Sequence, residues 1–208
     1  MKKALLIVAS VLFVDQALKI WVKLNMSVGE NIIFTDWFRL HFTENPGMAF
    51  GLEWGGVAGK LALSLFRLGA IIGIFYWLKS LLRKGIPTLG LVAVSLILAG
   101  AIGNLLDSAF YGLLFDKGLS FDEAVGSYVS YSGLAQLNGE GYASFLTGSV
   151  VDMLYFPLYE GYLPDWIPFK GGDYFVFFRP IFNLADASIS VGVGLLILFQ
   201  KKAFPKEQ

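Results

Sequence analysis

Four long apolar segments constrain this chain more than any other feature. They run roughly over Ala4–Leu24, Val57–Leu78, Ile86–Leu106 and Phe182–Gln200 of a 208-residue sequence. A helix of ~20 apolar residues crosses a hydrocarbon core of ~30 Å, so the expected fold class is an all-α integral membrane protein with four transmembrane helices. Composition agrees, because 56% hydrophobic against 15% charged residues is too apolar for an ordinary soluble domain. Lys2 and Lys3 ahead of the first apolar run look like the start of a secretory signal. Yet no small-x-small cleavage site follows Val14 and the apolar pattern continues to Leu24, so this segment reads as a retained helix. No repeat or internal boundary is evident, and residues 1–208 read as a single domain with outer segments 25–56 and 107–181.

Basic residues orient the spans. Lys2, Lys3, Lys79, Arg83, Lys84, Lys201, Lys202 and Lys206 fall on one side, while the two long segments between spans carry mostly acids. Short basic segments stay in the cytoplasm. The expectation is a multi-pass protein of the cytoplasmic (inner) membrane, with both termini inside and the long segments on the periplasmic face.

The outer segments differ in character. Residues 25–56 are aromatic and β-branched around a turn at Asn45-Pro46-Gly47, which predicts short strands. Trp37, Phe38, Phe50 and Trp54 suit a membrane interface. Gly112–Gly148 is rich in Gly, Ser and Tyr with scattered Asp116, Lys117, Asp122, Glu123 and Glu140. It reads as a solvated insertion, dispensable for chemistry, with a short helix near Phe121–Tyr128. Val150–Ile181 is more apolar and holds Trp166 and the run Phe175–Phe178.

The chain has no cysteine and a single histidine, His41. Disulfides, thiolate nucleophiles and cysteine-based zinc sites are therefore excluded, and neither a metal nor another cofactor is expected. No basic run interleaved with aromatics points to nucleic acid. Chemistry falls to carboxylates, hydroxyls, amides, Lys and Arg.

Charged groups inside spans are costly and mark function by default. Asp15 and Lys19 lie four residues apart on one helix face, either as a self-neutralising pair or as support for a site. Asp186, in FNLADASIS, is either a first-turn carboxylate stabilising a helix N-terminus or a reactive group. Asn104 and Asp107 close the third apolar segment, and Asn45 could be only a turn former. Asp152, in GSVVDMLYF, breaks an apolar stretch where a charge has no packing reason to be. All of these positions meet at or just below the outer membrane surface. Two carboxylates brought together there would share one proton and could hydrolyse a peptide bond without a metal or a nucleophilic side chain.

The ordered motifs resemble those of the lipoprotein signal peptidase (signal peptidase II) family over most of the chain. The resemblance rests on Asp15-Gln16-x-x-Lys19, Glu44-Asn45-Pro46-Gly47-Met48-Ala49-Phe50, Gly103-Asn104-Leu105-Leu106-Asp107, Val150-Val151-Asp152 and Phe182-Asn183-Leu184-Ala185-Asp186. It implies Asp152 and Asp186 as a catalytic dyad, with Asp15, Asn45, Asn104 and Asn183 as polar supports and Lys19, Gly47 and Asp107 in the same motifs. It implies an aspartic endopeptidase that cleaves diacylglyceryl-modified prolipoproteins before the lipidated cysteine. It also implies a small periplasmic β-cradle over the four helices, a short helix over the site, contact with membrane lipids, and inhibition by globomycin-type antibiotics.

Two departures stand out. Ser108 occupies the place where the family usually has Arg, and residues 112–148 form an extra periplasmic insertion between site motifs. Arg67 lies ~15 Å below the outer end of the second span and Asp15 ~13 Å below that of the first, at 1.5 Å per residue. Arg67 therefore either pairs with Asp15, or snorkels outward, or supplies the cation that Ser108 does not. A small transporter or channel using Asp15, Lys19 and Arg67 is the rival reading, but four spans without repeated halves fit it poorly. A structural adaptor would leave the convergent polar motifs without a purpose. A monomer is expected, since no span carries a strong small-xxx-small seam for a partner.

Overall fold

The computed structural model describes residues 1–47 and 55–204. Met48, Ala49, Phe50, Trp54 and Lys206 lie outside the described residues. Helix α1 (Lys2–Asn25) carries Asp15, Lys19 and Lys23 at successive four-residue steps, and all three are buried. Its apolar side chains face outward, Phe13 at 75% exposure among them. Helix α2 (Gly56–Arg83) repeats this inversion, with Lys60 and Ser64 buried and Phe66 exposed. Polar-inside, apolar-outside helices suit a hydrocarbon solvent, which accepts the apolar faces and penalises the charges.

A tight turn at Gly85 (φ 71°) reverses the chain into α3 (Thr88–Leu106), the most buried helix. Small residues let other backbones approach it closely. A Cβ on Gly100 would lie 2.2 Å from the Ala185 carbonyl oxygen, and one on Gly192 of the last long helix would lie 2.6 Å from that of Ala93. The expected end of this span at residue 106 is not its end. The helix widens into a π-helical turn, Asp107–Tyr111, and runs on as α4 (Gly112–Leu114). Such turns cluster at functional sites, and this one carries the consecutive buried pair Asp107 and Ser108.

The expectation of an all-α protein is corrected by eight strands among the described residues. β1 (Asn31–Thr35), β2 (Phe38–Asn45), β5 (Val150–Tyr155) and β8 (Ile181–Phe182) form one antiparallel sheet in the order β1-β2-β5-β8. β3 (Ser120–Asp122) pairs with β4 (Ser127–Val129), and β6 (Tyr159–Tyr162) pairs with β7 (Tyr174–Phe177). The short helix expected near Phe121–Tyr128 is therefore a hairpin, closed by Gly126 at φ 70°. In the main sheet Thr43 opposes Asp152 and Asn45 opposes Val150. Asp152, Thr43 and Asn45 thus share one face, while Glu44 and Val151 share the other.

Among the described residues three helices, Lys2–Asn25, Gly56–Arg83 and Thr88–Leu114, are long and apolar enough to cross a membrane. The fourth expected span is shorter than the sequence implies. Ile181 and Phe182 belong to β8, Asn183 caps the helix, and α5 covers only Leu184–Leu198, 15 residues. At 1.5 Å per residue that is ~22 Å. A break at Phe199 leads to a short α6 (Gln200–Ala203).

The 112–148 segment is not a loose excursion. Phe115 and Ala135 are fully buried in one core with Val22, Met26, Phe42, Val151 and Met153. The Lys23 ammonium pairs with buried Glu44 and lies 5.1–5.3 Å from the ring centroids of Phe115, Tyr131 and Tyr142. The Tyr131 hydroxyl and the Leu119 N–H both donate to Glu44, at 2.8 Å and 2.7 Å. An aromatic cage from the insertion thus closes over the end of α1 and the back of β2.

Candidate active site

Asp152 and Asp186 come from different elements and meet at the helix ends. The period-2 alternation of β5 turns Val151 and Met153 into the core and Asp152 to the opposite face. Asp186 sits in the first turn of α5, where Asn183 and Asp186 form a reciprocal capping box. The Asp186 N–H donates to Asn183 Oδ1 at 2.9 Å and the Asn183 N–H to Asp186 Oδ2 at 3.4 Å. Asp186 is therefore both the N3 partner of the Asn183 cap and the proposed reactive group.

Two asparagines bridge the two carboxylates. Asn183 Nδ2 donates to Asp152 Oδ1 at 2.6 Å and to Asn104 Oδ1 at 3.1 Å. Asn104 Nδ2 in turn donates to Asp186 Oδ1 at 2.7 Å. The Lys19 ammonium donates to Asn104 Oδ1 at 3.2 Å. A cation can only face the amide oxygen, so Lys19 sets which way Asn104 points and aims its N–H₂ at Asp186.

Beneath this bridge lies a closed ionic cluster. Lys19 sits 3.0 Å from Asp15 Oδ2 and 2.8 Å from Asp107 Oδ2, with all three side chains at or below 1% exposure. Gln16 Nε2 donates to Asp107 Oδ1 at 2.8 Å and to Asp15 Oδ2 at 3.1 Å, and Tyr111 donates to Gln16 Oε1. Both carboxylates also take backbone donors, Ala185 N–H to Asp15 Oδ1 at 2.9 Å and Val151 N–H to Asp107 Oδ2, the oxygen that faces Lys19, at 3.3 Å. These two bonds tie the cluster to the residues adjoining Asp186 and Asp152. A charge network satisfied this completely fixes geometry; it is not the open polar pathway of a channel.

Burial, and then the neighbouring charge of Asp186, push the Asp152 carboxyl up to about 7, with Lys19 and the Asn183 hydrogen bond opposing. Both leading causes disfavour the ionised form. Asp152 therefore keeps its proton well above the ordinary carboxylate range, with the charge of Asp186 near enough to contribute.

Arg67 is not paired with Asp15. Its Nη1 donates to Ser108 Oγ at 3.2 Å, and Lys60 Nζ reaches the same oxygen at 3.2 Å. Ser108 Oγ donates to the Asn104 carbonyl at 3.1 Å. Among the described residues, neither cation has a carboxylate within ion-pair distance. Asn45 accepts the Gly47 N–H at 2.8 Å, closing the turn after β2. A Cβ on Gly47 (φ 103°) would lie 2.6 Å from Leu63, so this turn packs directly on α2.

The expected residues Asp15, Lys19, Asn104, Asp107, Asp152, Asn183 and Asp186 form one connected network. Arg67 joins it through Ser108, and Asn45 and Gly47 stand at the adjoining edge. Lys60, Gln16 and the Lys23–Glu44 pair were absent from the expected site. Spacing could have found two of them, since Lys60, Ser64 and Arg67 fall on one helical stripe and Lys23 continues the Asp15, Lys19 series. Among the described residues no cluster of three or more His, Asp or Glu has a metal-holding arrangement.

Membrane-crossing helices capped by a sheet, with buried carboxylates held by amides where the two meet, define an integral membrane protein with a carboxylate site. Comparison with known proteins narrows the class. Residues 7–201 match the family model for signal peptidase (SPase) II, and the chain belongs to that family of aspartic peptidases. It is 47% identical over 195 residues to the lipoprotein signal peptidase of Porphyromonas gingivalis, covering 92% of this chain and 80% of that one. The lipoprotein signal peptidase of Amoebophilus asiaticus is 37% identical, over 89% of this chain and 72% of its own length. Two solved bacterial membrane enzyme structures share the fold. One has a TM-score of 0.60 at 23% identity, covering 98% of this chain and 96% of its own. The other has a TM-score of 0.55 at 23% identity, covering 100% and 94%.

Proposed function

We propose that the chain removes signal peptides from diacylglyceryl-modified prolipoproteins, cleaving on the amino side of the lipidated cysteine with Asp152 and Asp186 as the catalytic dyad. The observation that carries this reading is the bridge from Asp152 through Asn183 and Asn104 to Asp186, combined with the raised carboxyl of Asp152. Asp186, ionised, takes a proton from water as the water oxygen bonds to the scissile carbonyl carbon. Asp152, protonated, donates to the carbonyl oxygen. Collapse of the tetrahedral species breaks the C–N bond: the proton taken up by Asp186 passes to the leaving amine of the cysteine, and one hydroxyl of the gem-diol returns its proton to Asp152 as the carbonyl re-forms. Asn104 and Asn183 hold the two carboxyls, the Asp15–Lys19–Asp107 cluster holds the asparagines, and Asn45 borders the entrance.

In this reading α5, running on into α6 beside α3, serves as a fourth crossing. The basic ends of the helices face the cytoplasm, and the sheet and site face the periplasm across the inner membrane. The enzyme works as a monomer in contact with membrane lipids and binds globomycin-type inhibitors at the dyad. Purified protein incubated with diacylglyceryl-prolipoprotein, followed by mass measurement, tests the reading. Release of the intact signal peptide supports it, whereas an unchanged substrate mass, or cleavage of the unlipidated precursor alone, contradicts it.

A further inference from the structure

The hairpin of β6 and β7 plays no part in the site, yet it carries a dense set of exposed rings. Phe169 is 102% exposed, Trp166 79% and Tyr162 73%, with Phe177 and Phe178 also outward. In water such a surface would be costly to maintain. Phe169 and Phe178 also hold positive φ, 65° and 66°, which bulky L-residues seldom adopt without a purpose.

The tip of the hairpin pairs part of its own backbone. The Leu163 N–H donates to the Asp173 carbonyl and the Gly172 N–H to that of Leu163, at 2.9 Å and 3.0 Å. The Ile167 and Gly171 N–H groups donate to the carbonyls of Pro164 and Ile167. A turn with this pattern strands few amide groups on leaving bulk water, and the hydrated headgroup region can serve the rest. Its base is fixed to the main sheet, because Glu160 accepts from Arg39 at 2.6 Å and from the Tyr174 hydroxyl at 2.5 Å.

Continuity identifies what covers it. Phe178 meets Phe182 edge-to-face at 6.1 Å, and Phe182 stacks on Phe156, which stacks on Phe38 at 4.9 Å. Phe182 directly precedes the cap of α5, whose apolar Val191, Ile197 and Leu198 are exposed. A series of ring contacts thus joins the end of the hairpin to the sheet and to the residue that opens onto α5. Aromatic rings with one polar edge are the residues that settle at the boundary between lipid headgroups and acyl chains.

We propose that the β6–β7 hairpin is a membrane anchor, with Trp166 and Phe169 at its tip seated in the headgroup–acyl boundary of the leaflet on the site side. The anchor holds the sheet bearing Asp152 at a fixed height over the bilayer, and it does not depend on the peptidase reading. The cysteine-free chain allows a direct test. Phe169→Cys and, separately, Trp166→Cys are labelled with an NBD fluorophore and placed one copy per lipid nanodisc, with Glu140→Cys as the solvent-exposed control. The anchor predicts blue-shifted emission, quenching by lipids spin-labelled near the headgroup, and loss of iodide quenching at both tip positions but not at Glu140. Water-like emission with iodide quenching at both tip positions overturns it. So does a blue shift that requires two copies per disc, since the occupant would then be a second chain.

Discussion

Lys19→Met removes the one cation at the centre of the buried network while keeping the volume and length of the side chain. Lys19 contacts Asp15 at 3.0 Å, Asp107 at 2.8 Å and Asn104 at 3.2 Å, and it has no exposed surface. Breaking a buried ion pair by deleting one partner costs ~3–5 kcal/mol, because the other charge stays buried. Here two carboxylates are stranded, but each keeps a backbone N–H and a Gln16 donor. Those bonds place the expected loss near the lower end, about 3 kcal/mol. For a chain of this size that corresponds to a fall in Tm of about 6–12 °C, read by thermal unfolding in one fixed detergent. Adding Asp107→Asn removes one of the stranded charges, so the double variant loses less than the sum of the two singles. Cleavage falls as well, because Asn104 loses the contact that orients it toward Asp186. A Tm within about 2 °C of the parent, or strict additivity in the double variant, would refute the network as drawn.

Asp152→Asn has a pH-dependent effect on stability. The folded carboxyl stands at about 7 against an ordinary 3.8, so between those values the folded state holds a proton that the unfolded chain has lost. Stability of the parent therefore falls as pH rises from about 4 to about 7; the amide variant lacks this loss, so it melts higher at pH 8 and converges with the parent near pH 4. Gly100→Val drives a side chain into the Ala185 carbonyl, 2.2 Å from the position of its first carbon. It should cost at least ~1–3 kcal/mol and lower expression of folded protein, measured by size-exclusion recovery. Deleting residues 116–141 uncovers the Lys23–Glu44 pair by removing Tyr131, and a lower melting temperature in detergent checks this. A deletion that melts with the parent would show the cage to be idle.

The sequence was most informative where one physical rule acted alone. Asp15, Lys19, Asn104 and Asp107 stood out because a charge or amide within an apolar helix has few reasons to exist. Asp186 was found, but its helix began two residues late, since nothing in the apolar run around Phe182 separates a strand residue from a first helical turn. Asp152 was singled out as a charge in an apolar run; the alternation of β5 explains it, with Val151 and Met153 on the core face. Lys60 escaped notice near the start of α2, although its spacing to Arg67 placed both on one face. The insertion misled because Gly, Ser and Tyr read as a solvated loop, whereas Tyr131 and Tyr142 are held by a charge pair far away in the chain. Pairings of that kind depend on tertiary contact and leave no local pattern.

The central claim is that Asp152 and Asp186 act as one proton-sharing pair, and single isosteric substitutions address it most directly. Asp152→Asn and Asp186→Asn keep volume and much of the hydrogen bonding to Asn183 and Asn104, so both should insert and melt as folded proteins. Each is matched for amount with the parent and assayed by mass spectrometry for signal-peptide release from diacylglyceryl-prolipoprotein. The account predicts that both variants nearly abolish cleavage, because an amide can neither accept the proton of the attacking water nor return one. Near-parent turnover in either variant would contradict it.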